Sequence, residues 1–114
     1  IAHNLSYPVT LNYGIQHGIA CSFTLPIITR SMIGIDEIAE KRLKLIFDDN
    51  LKNASSKLSK FMRSLEVPLN LKEINVPVQE WHNIVDDAFL GDRGKNFIGN
   101  KEAFTSSAKT MGLY

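Results

Sequence analysis

Between residues 1 and 34 the chain carries a single Lys, Arg, Asp or Glu, namely Arg30. So apolar a stretch must be buried, or must pack on another surface. It is not a membrane span, because Asn4, Asn12, Gln16 and His17 interrupt it well short of the roughly 18 to 20 apolar residues a bilayer requires. It has no basic start before an apolar run, so it is not a secretory leader either. Two turn signals, Tyr7-Pro8 and Asn12-Tyr13-Gly14, are expected to split it. A helix is expected from near His17 toward Met32, with Pro26 kinking it or ending its first section.

The remainder reads as amphipathic helices. Ile35, Ile38, Ala39, Leu43, Ile46 and Phe47 fall at helical spacing and predict one inward stripe. Asp48-Asp49-Asn50 ends that run. Leu51, Ala54, Leu58, Phe61, Met62 and Leu65 predict a second stripe, closed at Val67-Pro68. A short helical turn fits Leu69 to Ile74. Pro77 suits the first turn of another helix, with Val78, Trp81, Val85, Ala88 and Phe89 inward. Gly91 to Gly99 is a loop with three glycines. Asn100 is placed to cap a last helix that buries Ala103, Phe104, Ala108 and Met111. No alternating strand pattern or internal repeat is present. The expectation is an all-α helical bundle of five or six helices, a single domain over residues 1–114.

Composition narrows the function. The chain is 44% hydrophobic and 22% charged, which excludes disorder along its length. A net charge of +1 lacks the basic footprint of a nucleic-acid binder. The one cysteine, Cys21, excludes an internal disulfide framework and a cysteine-rich zinc site. A reducing, cytoplasmic setting fits that usage. No initiator Met opens the chain, which reads as a piece of a longer protein.

The chemistry-bearing residues are the three histidines. His3 and His17 lie fourteen positions apart in the least charged part of the chain. Imidazole is the commonest metal ligand, and suits iron or zinc. Across a turn, both rings can face one point; otherwise they are two ordinary hydrogen-bonded histidines. Rings whose nearest nitrogens lie more than roughly 5 Å apart do not share a metal at about 2.0–2.1 Å from each. His82, next to Trp81 on an amphipathic helix, reads as a boundary residue. Cys21, one helical turn after His17, reads as a buried small apolar residue, with a metal-binding thiolate as the alternative. Asp86 and Asp87 point in different directions on a helix and form no carboxylate pair. No phosphate loop and no nucleophile elbow is found.

His3 followed by Ser6-Tyr7-Pro8, and His17-Gly18-Ile19-Ala20 running through Leu25-Pro26, resemble the two histidine segments of the iron-containing (metal-dependent) alcohol dehydrogenase family. Leu65 to Val76, the helix after it, the loop with Asn96 and the closing helix resemble that family's C-terminal order, so the resemblance covers most of the chain. It implies the C-terminal helical part of the dehydroquinate synthase-like fold, without the N-terminal domain that binds NAD(P). It implies a divalent metal, iron or alternatively zinc, held by one aspartate and three histidines. His3 and His17 match the last two ligands; the aspartate and first histidine would lie before residue 1. The implied function is the metal-binding domain of an NAD(P)-dependent alcohol dehydrogenase or aldehyde reductase, acting by hydride transfer, with residues 1–114 inactive alone.

Many members carry a further histidine four residues after the first ligand; here that position is Tyr7, a candidate pocket residue. The Ser6-Tyr7-Pro8-Val9-Thr10 variant is similar to that of the branch reducing phosphonoacetaldehyde. Such a substrate needs cationic or amide groups, for which Arg93, Lys95 and Asn96 are candidates, against the alternative of a solvated loop. The partners implied are a small alcohol or aldehyde and the N-terminal domain of the same chain. A homo-oligomer is compatible with this, and neither nucleic acid nor membrane is called for. The competing readings are a zinc-dependent relative such as a glycerol dehydrogenase, and a helical binding or structural module without catalysis. The dehydrogenase reading also predicts a large exposed apolar area where further helices would pack.

Overall fold

The computed structural model describes residues 1–114 and contains helices and turns only. Seven α-helices follow in order: α1 (Ala2–Tyr13), α2 (His17–Ser22), α3 (Leu25–Ser31), α4 (Glu37–Phe47), α5 (Leu51–Ser64), α6 (Val78–Leu90) and α7 (Lys101–Thr110). A single 3₁₀ turn, Gly94–Asn96, sits between α6 and α7. No helix is long and apolar enough to cross a membrane.

The uncharged opening divides differently from the expectation. Tyr7-Pro8 makes no turn, and α1 runs through Pro8. Proline here costs one helical hydrogen bond, but the packing of Leu5, Ser6 and Val9 into the core holds the helix together. The second expected turn is present, with Gly14 at φ 68°, ψ 14°, where its N–H bonds the Thr10 carbonyl at 3.1 Å. That left-handed conformation costs glycine no Cβ clash, and it folds α2 back onto α1. The helix expected from His17 to Met32 is two, with a break at Phe23-Thr24 and Pro26 in the first turn of α3. Seven helices rather than five or six result.

Asparagine and aspartate start three helices. Asp36 accepts from the Ala39 N–H at 2.7 Å, Asn50 from Asn53 at 3.0 Å and Asn100 from Ala103 at 2.8 Å. The short helical turn expected over Leu69 to Ile74 falls at residues 71–75, where the Asn75 N–H bonds the Lys72 carbonyl at 3.3 Å. Glu73 secures this segment by accepting two bonds from Arg63, at 2.7 and 2.8 Å, and one from the Leu69 N–H at 2.8 Å. Burial pushes the Glu73 carboxyl up, but these donors outweigh it and hold the group below its ordinary value.

The core is centred on Trp81, which meets Phe23 edge-on at 5.6 Å between ring centroids and Phe104 at 6.5 Å. Leu5 and Val9 from α1, Ile27 from α3, Met62 from α5 and Ala108 from α7 complete it. Two predicted stripes are only partly inward. On α4 no residue is fully buried: Ala39, Leu43 and Phe47 are half-buried, as is Ile35 just before the helix, while Ile38, Leu45 and Ile46 are exposed. On α5, Leu51, Ala54 and Met62 are buried but Phe61 and Leu65 are exposed.

Candidate metal centre

The α1–α2 corner carries the histidines. His3 lies in the first turn of α1 and His17 is the first residue of α2, so the reversal at Gly14 sets them side by side. Their ring centroids are 5.2 Å apart at 73°. Tyr7, one turn after His3, joins them at 4.7 Å from His3 and 5.7 Å from His17. One ligand atom from each of His3, His17 and Cys21 can be chosen so that all lie within 4.8 Å of one another. That is inside the separation two imidazoles need to share an ion. Both histidines are exposed at the surface of this domain.

Hydroxyls orient His17. Its Nδ1 lies 3.5 Å from both Ser6 Oγ and Thr10 Oγ1. Ser6 is wholly buried and donates its own proton to the His3 carbonyl at 2.7 Å. Its oxygen is therefore left to accept, while the Thr10 hydroxyl can donate or accept, so the pair can serve Nδ1 in either tautomer. A second hydrogen-bond partner of this kind is what fixes a ligating imidazole. His3, Ser6, Tyr7 and Thr10 stand at i, i+3, i+4 and i+7 on α1, so one helix face builds this wall. The two hydroxyls were not singled out from the sequence, although that spacing from His3 contained the signal.

Cys21 is half-exposed, not buried as the sequence predicted. The short α2 turns its fifth residue toward the corner and not toward the core, where Ala20 is buried instead. Cys21 Sγ lies 3.6 Å from His17 Nε2. His82 stands away from the cluster; it is exposed, not at a half-buried boundary, with its ring 5.3 Å from that of Tyr114.

The glycine loop supplies the corner's cation. Arg93 Nη1 donates to the Tyr7 hydroxyl at 3.3 Å, with the guanidinium 5.9 Å from the centre of that ring. Tyr7 oxygen thus accepts, and its own proton remains free for another partner. Gly94 brings the loop in: a Cβ there would meet the Ala88 carbonyl oxygen at 2.1 Å, so no other residue fits this approach without movement. Asn4 Nδ2 bonds the same Ala88 carbonyl at 2.9 Å and ties α1 to the end of α6. Arg93 and Asn96 also line an adjoining groove of about 550 Å³ with Arg42, Met32, Leu43 and Phe97. No acidic side chain lines it, and neither arginine has an ion-pair partner. Lys95 does not join them; it pairs with Asp92 at 3.0 Å and points to solvent.

Fold and site define an all-helical domain whose two imidazoles meet at a corner with an arginine-bearing groove beside it. A family model described as Fe-containing alcohol dehydrogenase family, C-terminal, matches residues 1–108. The chain belongs to that family, as a domain of the alcohol dehydrogenase type. Comparison with curated proteins finds no match, and comparison with solved structures finds none.

Proposed function

We propose that this domain is the metal-holding part of an NAD(P)-dependent alcohol dehydrogenase or aldehyde reductase. The convergence of His3 and His17 at one corner carries the reading. The donor set fits a divalent metal: two imidazoles close together, one of them fixed through Nδ1 by Ser6 and Thr10. His3 and His17 would hold it, with the aspartate and first histidine that the family resemblance implies coming from outside these residues. When bound, such a metal supplies Lewis-acid polarisation of a carbonyl oxygen. The nicotinamide supplies the hydride.

The chain's own residues then position the substrate. Tyr7 offers a free hydroxyl proton at the edge of the corner. Arg93, held against Tyr7, and Asn96, in the same groove, offer donors to an acidic or polar substituent. An aldehyde carrying a phosphonate or carboxylate group, phosphonoacetaldehyde among them, has the charge these groups complement. Residues 1–114 alone are proposed to be inactive, because cofactor binding and two ligands are assigned elsewhere.

The test is metal content and NAD(P)H-dependent aldehyde reduction, measured on the full-length protein. His3→Ala and His17→Ala are each expected to abolish metal retention and turnover together. Metal retained at wild-type level in both variants would overturn the reading. An Arg93→Ala change is expected to raise KM for acidic aldehydes and leave neutral ones unaffected.

A further inference from the structure

We infer that the groove beside the histidine corner takes an aldehyde on an apolar chain with an anionic group at its other end, and that Arg42 reads that group. This rests on the dehydrogenase reading of the corner and deepens it by naming a substrate class. The groove runs between Met32 at the end of α3, Arg42 and Leu43 on α4, and Arg93, Asn96 and Phe97 of the glycine loop. Its volume of about 550 Å³ lies within the range of small-molecule pockets, about 300–1,000 Å³, and is more than an aldehyde of a few atoms fills. The walls are apolar apart from Arg42, Arg93 and Asn96, so every charge on them is positive. Apolar walls with a few polar groups suit a hydrocarbon chain whose end is fixed by charge.

The two arginines stand on different walls. Arg93 donates to the Tyr7 hydroxyl at 3.3 Å, so it marks the part of the groove that adjoins the histidines. Arg42 stands on α4, which packs chiefly on α5. Its neighbours three and four positions away are Ile38, Ala39, Leu45 and Ile46, so no carboxylate meets it at helical spacing. Lys44 on the same helix pairs with Glu40 at 2.8 Å, whereas Arg42 has no ion pair. An arginine stem lies along apolar surface while its guanidinium remains open to a carboxylate or phosphonate, which it grips with two parallel hydrogen bonds. A short acidic aldehyde with its carbonyl at the corner meets Arg93; a longer one spans the apolar walls and meets Arg42.

The experiment is steady-state reduction of adipic semialdehyde, hexanal and phosphonoacetaldehyde by the metal-loaded full-length protein, beside calorimetric titration with hexanoate and with hexanamide. Wild type is expected to show a higher kcat/KM for adipic semialdehyde than for hexanal, and to bind hexanoate more tightly than hexanamide. Arg42→Gln is expected to raise KM for adipic semialdehyde about three- to tenfold with kcat held, the effect of losing a hydrogen bond to a charged group at an exposed site. Hexanoate binding weakens by the same factor, and KM for phosphonoacetaldehyde changes less. Arg42→Lys keeps the charge and is expected to recover part of the loss, which a merely structural role would not allow. Equal losses for adipic semialdehyde and hexanal, or hexanoate binding unchanged in Arg42→Gln, overturn this inference and leave the histidine site standing. No turnover of any of the three aldehydes overturns the dehydrogenase reading and the substrate class with it, a failure seen as absent activity rather than absent selectivity.

Discussion

Helices α6 and α4 carry similar sequence patterns and meet different fates. Both alternate apolar and charged residues at helical spacing. Helix α6 buries Trp81, Ile84, Val85 and Ala88, whereas α4 buries nothing completely. The difference is the partner. Helix α6 lies between α1 and α7, and its aromatic ring meets Phe23 and Phe104. Helix α4 packs chiefly on α5, borders the arginine-bearing groove with Ala39 and Leu43, and leaves Ile38, Leu45 and Ile46 in the open. Periodicity identifies which face of a helix is apolar; it does not say that anything covers it. Phe61 on α5 and Leu65 at its end are exposed in the same way.

The contrast can be broken at its strongest point. Trp81→Ala is expected to cost about 3–5 kcal/mol, read from the denaturation midpoint, because a fully buried ring leaves a cavity. A cost under about 1 kcal/mol would show that α6 is no better packed than α4. Next, Asp36→Ala removes the N-cap of α4 and is expected to cost about 1 kcal/mol. If it costs nothing measurable, α4 is frayed in solution and its local hydrogen bonds add nothing to global stability.

Asp49 sharpens the comparison through pH. Its ion pair with Lys57 at 2.6 Å, then bonds from Asn53 and the Asn50 N–H, hold its carboxyl below the ordinary value. A depressed folded-state value gives stability that is full above about pH 4, the unfolded carboxyl range, and lost as pH falls through the folded value. Asp49→Asn is therefore expected to lower stability at pH 7 and to converge with wild type in acid. Because its Lys57 partner is exposed and the pair is screened by solvent, the ion pair contributes less than the cap does. An undiminished difference at low pH would refute the assignment. Smallest of all, Leu45→Ala is expected to change stability by less than about 0.5 kcal/mol. A core-sized loss would place Leu45 in an interface.

Much of the site was legible because its signals are local. His3, Tyr7 and His17 are read from two short segments, and the Asn-Tyr-Gly turn that joins them announces itself through glycine. Arg93 was legible only as a cation in a loop. Its contact with Tyr7, 86 positions away, depends on Gly94 seating that loop against Ala88. Cys21 was misread because cysteine is usually buried, and the direction of a side chain on a six-residue helix is set by its neighbours.

The sequence by itself determined helix content, the cap at Asn100, the reversal at Gly14 and the identity of the metal-capable side chains. These follow from backbone sterics and hydrogen bonding within a few residues. Only the tertiary structure decided that Pro8 lies inside a helix, that α4 stays uncovered, and that Arg93, Ser6, Thr10 and Cys21 all attend the histidine corner. Those outcomes depend on which surfaces meet across the chain, and packing between distant residues can outweigh local propensity wherever the buried area is large enough.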